Sequence, residues 1–110
     1  MKISICETIL ADSMGEGWRD NVEAATAFGK YMSSRLETEV REAYPDAEIE
    51  VGYIVQRSSG FAGPSLAVDV EDEDFDSQCT VYNNLQSWLQ YSIERLWISF
   101  CGEGYAEFGL

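Results

Sequence analysis

The sequence predicts an α+β fold, a two-layer sandwich of order β-α-β-β-α in which two helices cover one face of an antiparallel-rich sheet. Three segments alternate apolar and polar residues like half-buried strands, and two longer segments repeat apolar residues every three or four positions. With 110 residues, 45% of them hydrophobic, the chain is expected to form one domain over residues 1–110. The order also fits the split βαβ pattern of ferredoxin-like domains, a fold that hosts many functions and assigns none.

The first half of the chain is predicted to form a strand and a long helix. Residues 2–10 alternate in polarity, with isoleucines on one parity. From Trp18 to Ala43 apolar residues recur at helical spacing. Gly29 within this helix costs about 1 kcal/mol relative to alanine, which indicates either a close backbone approach or a small bend of the helix. Pro45 ends the helix, because the residue before a proline is disfavoured in the helical conformation.

Two further strands are predicted over residues 47–56 and 66–71, where the alternation returns. The glycine-, serine- and proline-containing stretch between them predicts a hairpin with a long loop. Weak alternation over residues 105–110 indicates a short edge strand at the end of the chain.

A second helix is predicted after an acidic turn, with Asp76 or Ser77 as its N-cap and Gly102 near its C-terminal end. Its predicted buried stripe consists of Val81, Leu85, Trp88, Leu89, Ser92, Ile93, Leu96 and Phe100.

The charge of the chain restricts the kinds of partner that it can bind. Twenty Asp and Glu residues against seven Lys and Arg residues give a formal net charge of −13. Such a charge opposes binding to nucleic-acid phosphates and to anionic membranes, and it favours a positively charged protein. The N-terminal segment lacks the apolar core of a signal peptide, and no apolar run has the length of a membrane span, so a cytoplasmic location is expected.

The residue inventory also restricts the chemistry. The chain has no histidine, which excludes His-containing triads and His-ligated metal sites. Cys6, Cys79 and Cys101 form no C-x-x-C pair, so neither a disulfide framework nor a thiolate zinc site is expected. We expect all three cysteines to be buried or half-buried, and we expect no cofactor and no resident metal ion.

The most distinctive feature is a cluster of six carboxylates in eight positions. It consists of Asp69, Glu71, Asp72, Glu73, Asp74 and Asp76. One interpretation is a solvated turn whose charge stabilises the N terminus of the following helix. The other is a binding surface for a cationic partner. In the predicted hairpin Glu48 and Glu50 face Asp69 and Glu71, and a sheet that tolerates like charges across strands is a candidate for such a surface.

Metal-dependent functions of the same acids have weaker support. Counted from Asp72, the sixth position of an EF-hand loop is Ser77 and the twelfth is Asn83, where glycine and glutamate are required. No lysine follows the paired acids on the predicted strands, as a metal-dependent nuclease would need. A metal-assisted hydrolase is retained as an alternative that predicts turnover dependent on divalent cations.

Aromatic residues outside the predicted core suggest contacts with other molecules. Phe61, near the tip of the predicted loop, is either packed on the core or offered to a partner as an apolar anchor. Tyr82 and Trp97 fall outside the buried stripe of the second helix. They either cover the sheet or the C-terminal tail, or form a dimer or partner interface, so the oligomeric state is left open.

These observations favour a small acidic binding protein, not an enzyme, that inhibits a nucleic-acid-binding protein or complex by occupying its cationic site. Its carboxylates would act as a DNA mimic, as in phage anti-restriction and anti-CRISPR proteins, which share this acidic profile. The residues expected to bind the partner are Glu48, Glu50, Asp69, Glu71, Asp72, Glu73, Asp74 and Asp76, with Phe61 as the anchor. An immunity protein or antitoxin that neutralises a cationic toxin is the closest alternative.

Overall fold

A computed structural model describes residues 1–57, 63–70 and 75–110, which form a three-stranded sheet and two long helices. The strands are β1 (Lys2–Leu10), β2 (Glu48–Gln56) and β3 (Gly63–Asp69). The helices are α1 (Asn21–Ala43) and α2 (Phe75–Gly102), and short 3-10 helices span Ala11–Ser13 and Gly104–Phe108. The predicted α+β class is confirmed.

The sheet has the order β2-β1-β3, with β1 parallel to β2 and antiparallel to β3. The predicted hairpin between β2 and β3 is therefore wrong, because β1 lies between them. Helix α1 provides the long crossover that a parallel pair of strands requires, which lets β2 lie directly beside β1. The sheet is mixed, and its order differs from that of a split βαβ unit, in which another strand separates β1 from β2.

Both helices pack on the face of the sheet that carries the apolar parity of each strand. The register places Ile3 beside Ile49 of β2 and Val68 of β3, and all three side chains are buried. Phe28 of α1 and Phe100 of α2 belong to the same hydrophobic core, with their ring centroids 5.4 Å apart. The opposite face of the sheet, here called the outer face, is covered by neither helix, and its side chains are exposed or half-buried.

Helix α1 begins at Asn21, three residues later than predicted. The Asp20 side chain accepts hydrogen bonds from the backbone N–H groups of Val22 and Glu23, at 2.8 and 3.1 Å, and this N-cap fixes the start. Trp18 lies before the helix and stacks on Phe100 at a centroid distance of 5.7 Å. Trp18 therefore belongs to the core although it lies outside α1, which is why the apolar pattern in the sequence begins before the helix does.

Of the two interpretations of Gly29, the close approach is the one that the structure confirms. A β-carbon at this position would lie 2.6 Å from Cγ of the Tyr53 ring on β2, well inside the distance of an ordinary carbon–carbon contact. Glycine therefore lets α1 lie directly against the aromatic ring of the sheet.

Helix α2 buries Leu85, Leu89, Ser92, Leu96 and Phe100, as predicted. It begins at Phe75, so Asp76 and Ser77 lie inside its first turn and neither is the N-cap. Within the residues that the structure describes, no helix combines the length and apolar character needed to cross a membrane.

The predicted edge strand at the C terminus is wrong, because this segment forms a 3-10 helix that packs against the helical layer. Phe108 contacts Phe100 at a centroid distance of 6.3 Å, and Glu107 accepts a 2.8 Å hydrogen bond from Arg35 on α1. These contacts hold the segment away from the sheet edges.

Candidate functional site

Three of the acids predicted to bind a partner share one end of the outer face. Glu48 and Glu50 of β2 and Asp69 of β3 are exposed and belong to the parity that points away from the helices. The register places Lys2 of β1 between Glu48 and Asp69, beside both. The expectation that like charges face one another across paired strands is therefore wrong, because it depended on the incorrect hairpin.

Lys2 neutralises part of this acidic end. Its Nζ lies 3.5 Å from Oε2 of Glu50, and the two side chains are 47% and 71% exposed. An ion pair with this exposure contributes at most about 1 kcal/mol, so it holds neither side chain firmly in place. The four charged side chains sum to 1 − 3 = −2, and Glu48 and Asp69 remain open to a partner.

Four arginines of the described residues form ion pairs with glutamates in or beside the helical layer. The pairs are Arg19 with Glu23, Arg35 with Glu107, Arg41 with Glu37, and Arg95 with Glu39. None of these arginines belongs to a strand. Positive charge is thus concentrated with the helices, whereas Lys2 is the one cationic residue within the three described strands.

The remaining predicted residues divide into two groups. Asp76 is exposed in the first turn of α2, where a carboxylate interacts favourably with the helix dipole. The other five lie outside the described residues: Phe61, Glu71, Asp72, Glu73 and Asp74.

Two aromatic residues of α2, Tyr82 and Trp97, pack against the core of the protein. Trp97 packs edge-on against Phe28 with ring centroids 5.1 Å apart, and Tyr82 is half-buried against the core. Both therefore pack within the protein, and Trp97 contacts helix α1 where the sequence interpretation expected the sheet or the C-terminal tail. The large apolar side chains that α2 exposes are Phe75, Tyr91 and Ile98, at 71%, 65% and 71%.

Sequence reasoning missed Glu7, which is a buried carboxylate in the central strand. Glu7 is 6% exposed and shares the inward parity of Ile5 and Ile9. The register places it between Tyr53 of β2 and Pro64 of β3. The signal was available in the sequence, because a charged residue interrupts the buried parity of an otherwise apolar strand.

Glu7 lines a cavity of about 360 Å³ between the sheet and α2. Its walls are mainly apolar, and they also include the polar side chains of Ser13 and Gln90. The other lining residues are Thr8, Ile9, Leu10, Met14, Phe28, Pro64, Ile93 and Trp97.

The described residues hold neither a metal site nor an activated cysteine. Across 1–57, 63–70 and 75–110, no three Asp, Glu, Cys or His side chains lie together as a metal site would require. Cys6 and Cys79 are half-buried as expected, whereas Cys101 is exposed, contrary to expectation. Partial desolvation raises the pKa of the Cys101 thiol above its ordinary value, which disfavours the nucleophilic thiolate at neutral pH.

Comparisons with protein-family models, with curated proteins and with solved structures find no match to this chain.

Proposed function

We propose that this protein is a small non-catalytic binding protein whose outer face occupies the cationic site of a nucleic-acid-binding protein or complex. The observation that carries the proposal is the placement of charge. Exposed Glu48, Glu50 and Asp69 share a sheet face that neither helix covers, while the paired arginines lie in or beside the helical layer. A basic surface would meet three carboxylates and one lysine on the outer face, and arginine–glutamate ion pairs on the helical side.

The spacing of these carboxylates supports contact with a single basic patch. Neighbouring strands lie about 4.8 Å apart, so Glu48 and Asp69, on the two sides of β1, are separated by roughly 10 Å across the sheet. This is about one Debye length at physiological salt, so the two charges act together on an approaching cationic surface. Complementary potentials of this kind accelerate association and exclude competing anions such as nucleic-acid phosphates.

Inhibitors of bacterial defence complexes, including phage anti-restriction and anti-CRISPR proteins, are the biological class that this DNA-mimic proposal names. An immunity protein or antitoxin would use the same complementarity against one small cationic toxin. The two differ in the partner captured: a nucleic-acid-binding complex or a single toxic enzyme.

The test compares two variants with the same change in net charge. The face variant carries Glu48→Gln, Glu50→Gln and Asp69→Asn. The control variant carries Glu16→Gln, Glu42→Gln and Glu103→Gln, three exposed acids outside the sheet. Each variant and the wild type are immobilised, exposed to a lysate of the source cells at low and moderate salt, and washed with duplex DNA as a competitor.

The proposal expects that wild type and control retain the same nucleic-acid-binding protein, and that the face variant retains much less of it. Salt and duplex DNA should both release the retained protein, because they screen or replace the carboxylates. Equal retention by the face variant, with its fold verified by circular dichroism, would exclude the outer face as the binding surface.

A further inference from the structure

The cavity beside Glu7 has the size and composition of a small-molecule site. Such sites usually occupy about 300–1,000 Å³ and combine apolar walls with a few polar groups. The cavity of about 360 Å³ lies at the lower end of this range, with Phe28, Ile93 and Trp97 among its apolar walls. Ser13 and Gln90 add hydrogen-bonding groups to the same space.

Glu7 is the acidic residue among those that line this cavity. A carboxylate placed among apolar side chains loses hydration, which is costly unless hydrogen bonds or an opposite charge replace the water. Glu7 is the one buried residue among the Asp, Glu, Lys and Arg residues that the structure describes. A carboxylate group has two oxygens with about four acceptor sites. Glu7 can therefore accept a hydrogen bond from a ligand in addition to its interaction within the protein.

The chemistry of the walls selects the ligand. A protonated amine donates charge-assisted hydrogen bonds to a carboxylate, and such bonds are stronger than those between neutral groups. An anion would be repelled by Glu7 and by the net charge of −13. The aromatic and aliphatic walls favour an apolar body attached to the amine, since contact with Trp97 and Phe28 removes apolar surface from water.

We propose that this cavity binds a small organic cation whose protonated amine contacts the Glu7 carboxylate and whose apolar body packs against Phe28, Ile93 and Trp97. Ser13 and Gln90 orient the amine through further hydrogen bonds. The cavity lies on the helical side of the sheet, opposite to the outer face, so this proposal stands or fails independently of the proposed partner.

The test uses three primary amines with apolar bodies of increasing size: isobutylamine, 2-phenylethylamine and tryptamine. Their neutral and anionic counterparts are 2-phenylethanol and 3-phenylpropanoate. Binding is measured by isothermal titration calorimetry and by the rise in melting temperature that a ligand specific for the folded state produces. The variants are Glu7→Gln, which removes the charge and keeps the shape, and Ile93→Trp, which fills the cavity. Glu48→Gln makes the same charge change on the outer face and serves as the control.

We expect at least one amine to bind the wild type and Glu48→Gln equally, and at least tenfold more tightly than 2-phenylethanol or 3-phenylpropanoate. Glu7→Gln should lose this preference while still binding the alcohol, and Ile93→Trp should bind none of the compounds. Three results would overturn the proposal: no amine binds the wild type at millimolar concentration, amine and alcohol bind it equally, or Glu7→Gln retains the amine preference. If Glu7→Gln fails to fold, Ile93→Trp and the comparison of amine with alcohol still decide the outcome.

Discussion

The contact between Gly29 and the Tyr53 ring predicts that Gly29→Ala destabilises the protein, although alanine is the better helix former. In an exposed helix this substitution would stabilise by about 1 kcal/mol. Here the new β-carbon would lie 2.6 Å from the Tyr53 Cγ, against about 3.5–4.0 Å for an ordinary carbon–carbon contact, so helix or ring must move by about 1 Å. Overpacking of this kind costs typically 1–3 kcal/mol.

Because the clash involves Cγ at the base of the ring, a small rotation of the side chain cannot relieve it. We therefore take the upper part of that range, which leaves a net loss of about 2 kcal/mol in the free energy of unfolding. Urea denaturation followed by far-ultraviolet circular dichroism measures this loss. Gly102→Ala is the matched control, since nothing lies within 4 Å of its added carbon and no loss is expected.

The cost of Gly29→Ala should fall when Tyr53→Ala removes the ring and its Cγ, and a double-mutant cycle measures the difference. A stability of Gly29→Ala equal to or above that of the wild type would refute the close approach of α1 to β2. The same conclusion would follow if the cost were unchanged in the Tyr53→Ala background.

Three further predictions concern the N-cap, the core and the cysteines. Asp20→Ala should lower the free energy of unfolding by about 1 kcal/mol in urea denaturation, because two backbone N–H groups lose their acceptor. Asp20→Asn should keep most of the stability, and equal losses for both variants would contradict the capping role. Phe100→Ala should cost about 3–5 kcal/mol, since this fully buried ring contacts the rings of Trp18, Phe28 and Tyr31; a loss below 1 kcal/mol would show that the core is wrongly placed. Alkylation of Cys101 by iodoacetamide, followed by peptide mass spectrometry, should reach half of its maximal rate at a higher pH than alkylation of a cysteine in an unstructured peptide, because desolvation raises the pKa of the Cys101 thiol. A midpoint at or below that of the peptide would contradict this prediction.

Local structure could be predicted from the sequence because it depends on local chemistry. The parity of Ile49 and Val68 identified the inward faces of their strands, and the spacing of Leu85, Leu89 and Leu96 identified the inward face of α2. The glycine at position 29 indicated a close contact before any partner was known. In each case the identity of one residue, or the spacing of a few, was enough to predict which side of an element is buried or closely approached.

Strand pairing could not be predicted in the same way. Alternation shows which side of a strand is buried but not which strand lies beside it, so sequence neighbours β2 and β3 were wrongly paired. This error altered the interpretation of the acidic residues, because Lys2 lies between Glu48 and Asp69 where a direct acidic contact was expected. Glu7 could have been predicted, because it shares the buried parity of Ile5 and Ile9 and is the charged residue at such a position of β1.

The measurement that tests the proposed function most directly is the affinity of the captured partner for the wild type, the face variant and the control variant over a series of salt concentrations. If the outer face binds the partner, the face variant should bind on the order of tenfold more weakly, as three exposed charge pairs allow, and its affinity should depend less steeply on salt. The control variant should match the wild type in both respects. Equal weakening of the two variants would show that net charge alone attracts the partner and would contradict the assignment of the outer face.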